Sequence, residues 1–341
     1  MVNQGKMRVG IIGAGLQGRR RAQALKEFDD VGLVIVADVR LERAKLLAGA
    51  IGCEATANWE DVVAREDINT IIVSTPPNLH LPICAAALKQ GKHVLCEKPL
   101  ARNPEEAKQL VGLAYENGMK LKCGFNLRHH PGVRQAREWL NKGILGEPSF
   151  LRLRYGIGGR PGYEKDWRAQ AEISGGGQLM DQGMHVLDLS RWFLGEFTEV
   201  FGFLATSFWD IAPVEDNAFA LLRTPKGHIA SLHASWTQWK NLFSLEMFGR
   251  DGYAIVEGLG GSYGVERAIL GKRAPLEPFK EEIIEFRGED RSWHEEWKEF
   301  ASAIKEGREP LGNGDDGLQA LRLAYAIYES SSQGCVVRLR V

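Results

Sequence analysis

The stretch Met7–Leu25, MRVGIIGAGLQGRRRAQAL, decides the fold. The apolar run Met7–Ile12 leads directly into GAGLQG at Gly13–Gly18, and Leu16–Phe28 continues with apolar residues at helical spacing. A G-x-G-x-x-G that leaves a strand and opens a helix is a phosphate-binding turn of a βαβ unit. Gly13 permits the tight turn, Gly15 lets the backbone approach a pyrophosphate, and Gly18 lets the helix pack close to the strand. Leu16 and Gln17 belong to the first helical turn, whose N–H groups and positive dipole end favour an anion. The second strand, Gly32–Ala37, ends at Asp38, which is placed to accept hydrogen bonds from the adenine-ribose hydroxyls, with Val39 and Arg40 beside it. Asp38 favours NAD over NADP because a 2′-phosphate would meet a carboxylate; Arg40 is the residue that would pair with such a phosphate.

Outward from this unit, strands at Asn69–Ser74, Lys92–Cys96 and Lys120–Phe125 alternate with helical patterns at Leu41–Ile51, Asn78–Gln90 and Pro104–Asn117. Continuous apolar strands separated by helices predict a parallel sheet covered on both faces, a doubly wound Rossmann-type α/β domain over residues 1–125. From about Gly146 the pattern changes. Ser149–Tyr155, Ala218–Arg223, Ile229–Trp239 and Phe243–Phe248 alternate and follow one another with turns, which predicts a large, open, mainly antiparallel sheet in a second α+β domain, 126–341. One long helix, about Gln178–Leu194, interrupts it, and a terminal helix at 315–332 is expected to pack back toward the first domain.

A length of 341 residues suits two domains. With 43 basic and 44 acidic residues the net charge is −1, which argues against a nucleic-acid-binding surface. The five cysteines form no CxxC pair, so neither a zinc knuckle nor a redox dithiol is expected. His129 and His130 are adjacent, a poor chelating geometry, and no metal is expected. The N-terminal residues read as having no signal peptide, and no apolar run reaches membrane-spanning length; a cytoplasmic chain with no membrane partner is the expectation.

Two further segments carry chemistry. Glu97-Lys98-Pro99 follows the carboxyl end of a buried parallel strand, where ligands of open α/β sheets bind. A lysine there can hold a substrate hydroxyl, although a surface lysine after a strand is also common. Ser74, Thr75 and Pro76 of STPPNLH would lie along the dinucleotide, Asn78 could cap the next helix, and His80 reads as a packing or hydrogen-bonding residue. In ISGGGQLMDQGMHVLDL, Asp181 and His185 are four residues apart and share a helical face. An imidazole oriented by a carboxylate suits a general base; a solvated surface pair has the same spacing. Gly175–Gly177 would let the backbone run close to a bound ring.

Taken together, GAGLQG at 13–18, Asp38, STPPNLH at 74–80, EKPL at 97–100, GGGQLMDQGMHVLDL at 175–189 and DGLQALRLAYAIYES at 316–330 resemble the Gfo/Idh/MocA family, which includes glucose–fructose oxidoreductase and inositol dehydrogenase. The resemblance covers nearly the whole chain. It implies an NAD(P)-dependent dehydrogenase acting on a sugar or cyclic polyol, as a homodimer or homotetramer through the open sheet. It also implies His185 as the catalytic histidine, Lys98 as the lysine that polarises the hydroxyl, and Asp181 as the acidic partner. Trp167-Arg168 matches an element that lies near cofactor or substrate. Beside it, Arg154 of SFLRLRY is a candidate for an anionic substrate group, and Tyr155, Arg160, Tyr163 and Trp236 are candidate sugar-contacting side chains. The fold also supports two other outcomes, an NAD-dependent glycosidase working by transient oxidation and a non-catalytic NAD(P)-binding regulator.

Overall fold

The computed structural model describes residues 6–339. The chain divides into two compact units. One runs to Asn126 and adds Trp293–Gln319; the other comprises Leu127–Ser292 and the residues from Ala320 onward.

The first unit holds a six-stranded, all-parallel sheet made of β1 (Met7–Ile12), β2 (Val31–Ala37), β3 (Glu54–Thr56), β4 (Thr70–Val73), β5 (His93–Cys96) and β6 (Leu121–Cys123). The spatial order is β3-β2-β1-β4-β5-β6, so the direction of winding reverses between β1 and β4. Helices α1 (Leu16–Leu25), α2 (Leu41–Ile51), α3 (Trp59–Ala64), α4 (His80–Lys89) and α5 (Pro104–Glu116) connect the strands. Helix cover on both faces explains why β1 and β4 are buried nearly throughout rather than alternating. At the start of α5, Pro104 takes the first helical position and the Asn103 side chain accepts the Glu106 N–H at 2.8 Å, a capped start that fixes the loop after β5.

The change of apolar pattern along the chain predicts that 293–319 belongs to the second domain; the structure places it in the first unit. Trp297 and Phe300 of α9 (Ser292–Glu306) are fully buried in the same core as Val9, Ile11, Leu25, Val36 and Leu95. Burying two large aromatic side chains against a sheet is worth several kcal/mol, more than a chain-order boundary can oppose.

The second unit is built on a nine-stranded sheet. Its strands are β7 (Pro148–Gly156), β8 (Glu199–Ala205), β9 (Asn217–Arg223), β10 (Ile229–Ser235), β11 (Leu242–Gly249), β12 (Gly252–Glu257), β13 (Glu266–Lys272), β14 (Glu281–Phe286) and β15 (Val337–Arg338). Their order is β14-β13-β12-β11-β7-β10-β9-β8-β15, antiparallel except for the β7–β10 pair. The unit also contains α6 (Pro131–Asn141), the short α7 (Ala171–Ser174) and α8 (Met184–Leu194), and most of α10 (Gly314–Gln333).

The two faces of this sheet differ. Val186 and Leu187 of α8, with Leu179, line a small apolar cavity against Ala218, Ala220, Leu232 and Ala234. On the opposite face Arg152, Arg154, Phe203, Phe219 and Leu221 are exposed. Among the described residues no helix is long and apolar enough to cross a membrane, and no group of three or more His, Cys, Asp or Glu side chains is arranged to hold a metal ion.

Candidate active site

In the first unit, the glycine turn shows two kinds of contact. A Cβ at Gly13, which has φ +101°, would lie 2.5 Å from the Ser74 carbonyl oxygen, and one at Gly18 would lie 1.9 Å from the Gly13 carbonyl oxygen. Both positions exclude any larger residue because backbone already fills the space. A Cβ at Gly15 would meet nothing within 4 Å, so that glycine borders open space at the N-terminus of α1. This end of α1 has no side-chain cap and no acidic residue in its first turn. Around it, the buried Gln17 Oε1, Ser74 Oγ and Thr75 Oγ1 have no hydrogen-bond partner among the described residues. A buried polar atom left unmatched costs roughly 1–3 kcal/mol, so three together mark a surface built to be covered by a polar ligand.

Asp38 completes this cradle. Its Oδ2 accepts the Ala14 N–H and its Oδ1 accepts the Arg40 N–H, both at 2.9 Å. A carboxylate has about four acceptor sites, so two bonds to backbone leave capacity for ribose hydroxyls. Val39 is 80% exposed and Leu16 57% exposed, which places both at the open rim of the turn. The residues present therefore fit a dinucleotide.

Lys98 is half-buried after β5. Its neighbour Glu97, at the strand end where a cofactor contact is expected, has a partner inside the protein. The Glu97 carboxylate is buried and pairs with Arg21 of α1 at 2.8 Å, and Arg21, 1% exposed, also pairs with the buried Glu296 of α9. Burial opposes the Arg21 charge, but Glu296 and Glu97 more than offset it and move its pKa up. The lysine thus follows a residue anchored in the core by a charged bond.

His80 is fully buried. Its Nδ1 lies 2.8 Å from the Pro99 carbonyl oxygen and its Nε2 lies 2.9 Å from that of Thr75. It therefore braces the loops after β4 and β5 together from within. Asn78 does not cap a helix. It sits inside a 3-10 turn, Pro77–Leu79, and α4 begins at His80 with no side-chain cap.

In the second unit, the helix expected over Gln178–Leu194 is in two parts. Leu179–Gly183 forms a π-turn, and α8 follows from Met184. Such wide turns concentrate at functional sites because they displace side chains from the regular helical stripe. Asp181 sits in the π-turn with its Oδ2 3.5 Å from Arg168 Nε. His185, in the first turn of α8, is 5% exposed and meets the edge of the Tyr155 ring at a centroid distance of 5.9 Å.

The surroundings are polar and aromatic. Arg168 bonds Asp166 at 3.2 Å and lies over the Trp167 ring at 4.2 Å. Burial works against the Arg168 charge, but Asp181 and Asp166 raise its pKa overall. Arg160, 65% exposed, also pairs with Asp166. Burial first, then the neighbouring Tyr263, holds the Tyr155 hydroxyl well above the ordinary tyrosine range. Burial first, then Asp181, pushes Tyr163 up to about 12. Neither phenol is an anion near neutral pH.

Comparison with known proteins settles the family. The family model described as an oxidoreductase family with an NAD-binding Rossmann fold matches residues 7–125, and the GFO/IDH/MocA C-terminal domain model matches residues 133–255. A dTDP-3,4-didehydro-2,6-dideoxy-α-D-glucose 3-reductase from Actinomadura kijaniata is 33% identical over 231 residues, 67% of this chain and 68% of that protein. This chain belongs to the Gfo/Idh/MocA oxidoreductase family. The myo-inositol 2-dehydrogenase of Thermotoga maritima is 27% identical over 345 residues, 98% of each chain. A solved levoglucosan dehydrogenase in complex with NADH and levoglucosan superposes with a TM-score of 0.89 at 26% identity, covering 98% of this chain and 99% of that one. The chain spans 54% to 98% of the length of the curated relatives it matches.

As a Gfo/Idh/MocA member, the chain is an NAD-binding oxidoreductase, and two of the residues expected to contact substrate are placed elsewhere. Arg154 alternates with Leu153 and Tyr155 along β7, so it points to the exposed face of the sheet, the side away from His185, where it lies 3.9 Å from Glu246. Trp236 is fully buried behind Tyr163, the two rings stacked at 4.8 Å. It supports the wall and presents no face of its own.

Trp167 and Arg168 lie in a 3-10 turn beside Asp181 in the second unit. The sequence alone does not single out Arg21, Asp166 or Tyr263. A signal existed for Arg21, which lies three residues after Gly18 and four before Leu25 and so shares their buried helical stripe.

Proposed function

We propose that this chain oxidises a secondary hydroxyl of an uncharged sugar or cyclic polyol, with His185 as general base and Lys98 holding the hydroxyl oxygen. The observation that carries this reading is the buried imidazole of His185, set one turn after a carboxylate that is itself paired with an arginine. Tyr155 and Tyr163 stay protonated at working pH, so the imidazole is the group suited to accept the hydroxyl proton. Bound NAD supplies the hydride acceptor. The Gly13–Gly18 turn, Asp38, Gln17, Ser74 and Thr75 are the residues that would hold it, and the Asp38 carboxylate favours NAD over NADP. Lys98, following the anchored Glu97, orients the substrate oxygen and stabilises the charge that develops on it as the proton leaves.

The charge balance of the second-unit site supports a neutral substrate. Arg168 is already matched by Asp166 and Asp181, and Arg154 is on the exposed sheet face. A phosphate or nucleotide group would have to displace a carboxylate to reach the guanidinium, at a cost of several kcal/mol for a mostly buried pair. The named relatives include enzymes of levoglucosan and of myo-inositol, both uncharged, beside a reductase of a dTDP-linked sugar, and the charge balance around Arg168 sides with the uncharged group.

The test is absorbance at 340 nm on mixing the chain with NAD or NADP and a panel of neutral sugars, anhydrosugars and inositols, each paired with its phosphate ester. Reduction of NAD by one or more neutral members, faster than with NADP and with little or no turnover of the esters, is the expected result. Turnover confined to the phosphate esters would overturn the substrate class. No reduction by any member would overturn the activity.

A further inference from the structure

Gly176 and Gly177, just before the π-turn, do not face open space. A Cβ at Gly176 would lie 2.1 Å from the Tyr328 hydroxyl oxygen, and a Cβ at Gly177 would lie 2.1 Å from the Glu215 carbonyl oxygen. What fills that space is a clamp. Glu215, buried, receives three consecutive backbone donors. The Gly177 N–H donates to its Oε2 at 3.2 Å, the Gln178 N–H to its backbone carbonyl at 2.9 Å, and the Leu179 N–H to its Oε1 at 2.8 Å. The Tyr328 hydroxyl of α10 donates to the same Oε1 at 2.9 Å.

The first N–H groups of a helical segment have no partner within it and need a cap. Local caps come from a serine, threonine, aspartate or asparagine just before the turn. Here Gly175–Gly177 carry no side chain, so the cap arrives from a remote residue.

We infer that Glu215 and Tyr328 are positioning residues that fix the π-turn and, through it, the approach of Asp181 and His185 to the substrate. The inference rests on the dehydrogenase reading above. The route is short: Gly177, held by the Glu215 carboxylate, accepts the Asp181 N–H on its own carbonyl at 3.1 Å, and His185 begins the next turn. Burial, then Glu215, holds the Tyr328 hydroxyl far above the ordinary tyrosine range, so it stays a donor. Catalytic groups held loosely lose rate steeply, because a misplacement of about 1 Å costs on the order of 10²-fold.

The test uses the full chain as Glu215→Gln and Tyr328→Phe. The Gln variant keeps shape but turns one acceptor into a donor facing backbone N–H groups. The Phe variant keeps the ring and removes one bond, so it carries the test if the first variant does not fold. Hydrogen–deuterium exchange of the 177–185 amides, NADH affinity by fluorescence, and kcat and KM on the polyol oxidised in the panel are measured together.

Faster exchange confined to 177–185 is expected, with kcat lowered ~10-fold in Tyr328→Phe and ~10²-fold in Glu215→Gln. KM and NADH affinity should stay within about twofold, since neither residue is in the cofactor cradle. Unchanged exchange in both variants overturns the clamp. Faster exchange with unchanged kcat overturns its link to the reaction. A wild-type chain that oxidises nothing in the panel defeats the dehydrogenase reading, and exchange alone then decides the clamp.

Discussion

His185→Ala is expected to lower kcat by ~10²- to 10⁴-fold, the range for removing a positioned general base, while NADH binds as before. The expectation follows from which other groups stand near Asp181. The Tyr155 and Tyr163 hydroxyls hold their protons well above neutral pH, and the Asp181 carboxylate is paired with Arg168. None of these replaces an imidazole as proton acceptor near neutral pH. The residues proposed to hold the cofactor, Gly13–Gly18, Asp38, Ser74 and Thr75, belong to the first unit and His185 to the second, so the substitution changes none of them. Stopped-flow turnover alongside a fluorescence titration with NADH separates the two effects. Unchanged turnover would remove His185 from the mechanism.

The second large effect is on stability. Arg21→Met should cost about 3–5 kcal/mol at neutral pH, the penalty for breaking a buried ion pair by removing one partner. Arg21 is 1% exposed between Glu97 and Glu296, and methionine fills similar space without the charge. The two buried carboxylates then lose the guanidinium they share, and Lys122 stands 3.9 Å from Glu296.

The sign with pH follows from Glu296. Burial already raises its pKa above the ordinary 4.5 against the opposing pull of Arg21 and Lys122, and losing Arg21 raises it further. A carboxyl with a raised folded pKa stabilises the fold when protonated, and that contribution is lost as pH rises through the folded value. The variant's deficit should therefore be full at neutral pH and shrink as pH falls toward 4.5. Urea unfolding of both proteins at pH 7.5 and pH 5 checks this. An equal deficit at the two pH values would contradict it. Because Glu97 precedes Lys98, the variant should also lose turnover per folded molecule.

The parallel half of the fold was legible because MRVGII, GLVIVA, TIIV and HVLC are continuous apolar runs bounded by turn residues, and only strands buried on both faces look like that. The second sheet was read from β7, β9, β10 and β11, whose alternation records one covered and one open face. β14, EEIIEF, escaped because it is largely exposed and carries no such record.

Site legibility divided along the same physical line. Gly13, Gly15 and Gly18 were readable because a single short motif records the tight turn, the close approach of a ligand and the close packing of helix on strand. Gly176 and Gly177 were assigned to a bound ring, whereas the groups that crowd them, Glu215 and Tyr328, come from 38 or more residues away. Arg154 shows the converse. Alternation along β7 was visible in the sequence, but which face carried His185 depended on where α8 packs. The π-turn, too, depends on acceptors supplied by Glu215 and leaves no local mark.

One thermodynamic cycle tests the central proposition, that the Lys98 amine and the His185 imidazole serve the same substrate hydroxyl. kcat/KM is measured for the wild type, Lys98→Met, His185→Ala and the double variant on one polyol. Groups acting on a single oxygen are coupled, so the double variant should be about as slow as the slower single variant. Losses that multiply, with the double variant slower by the product of the two single effects, would show the residues acting independently and contradict the account.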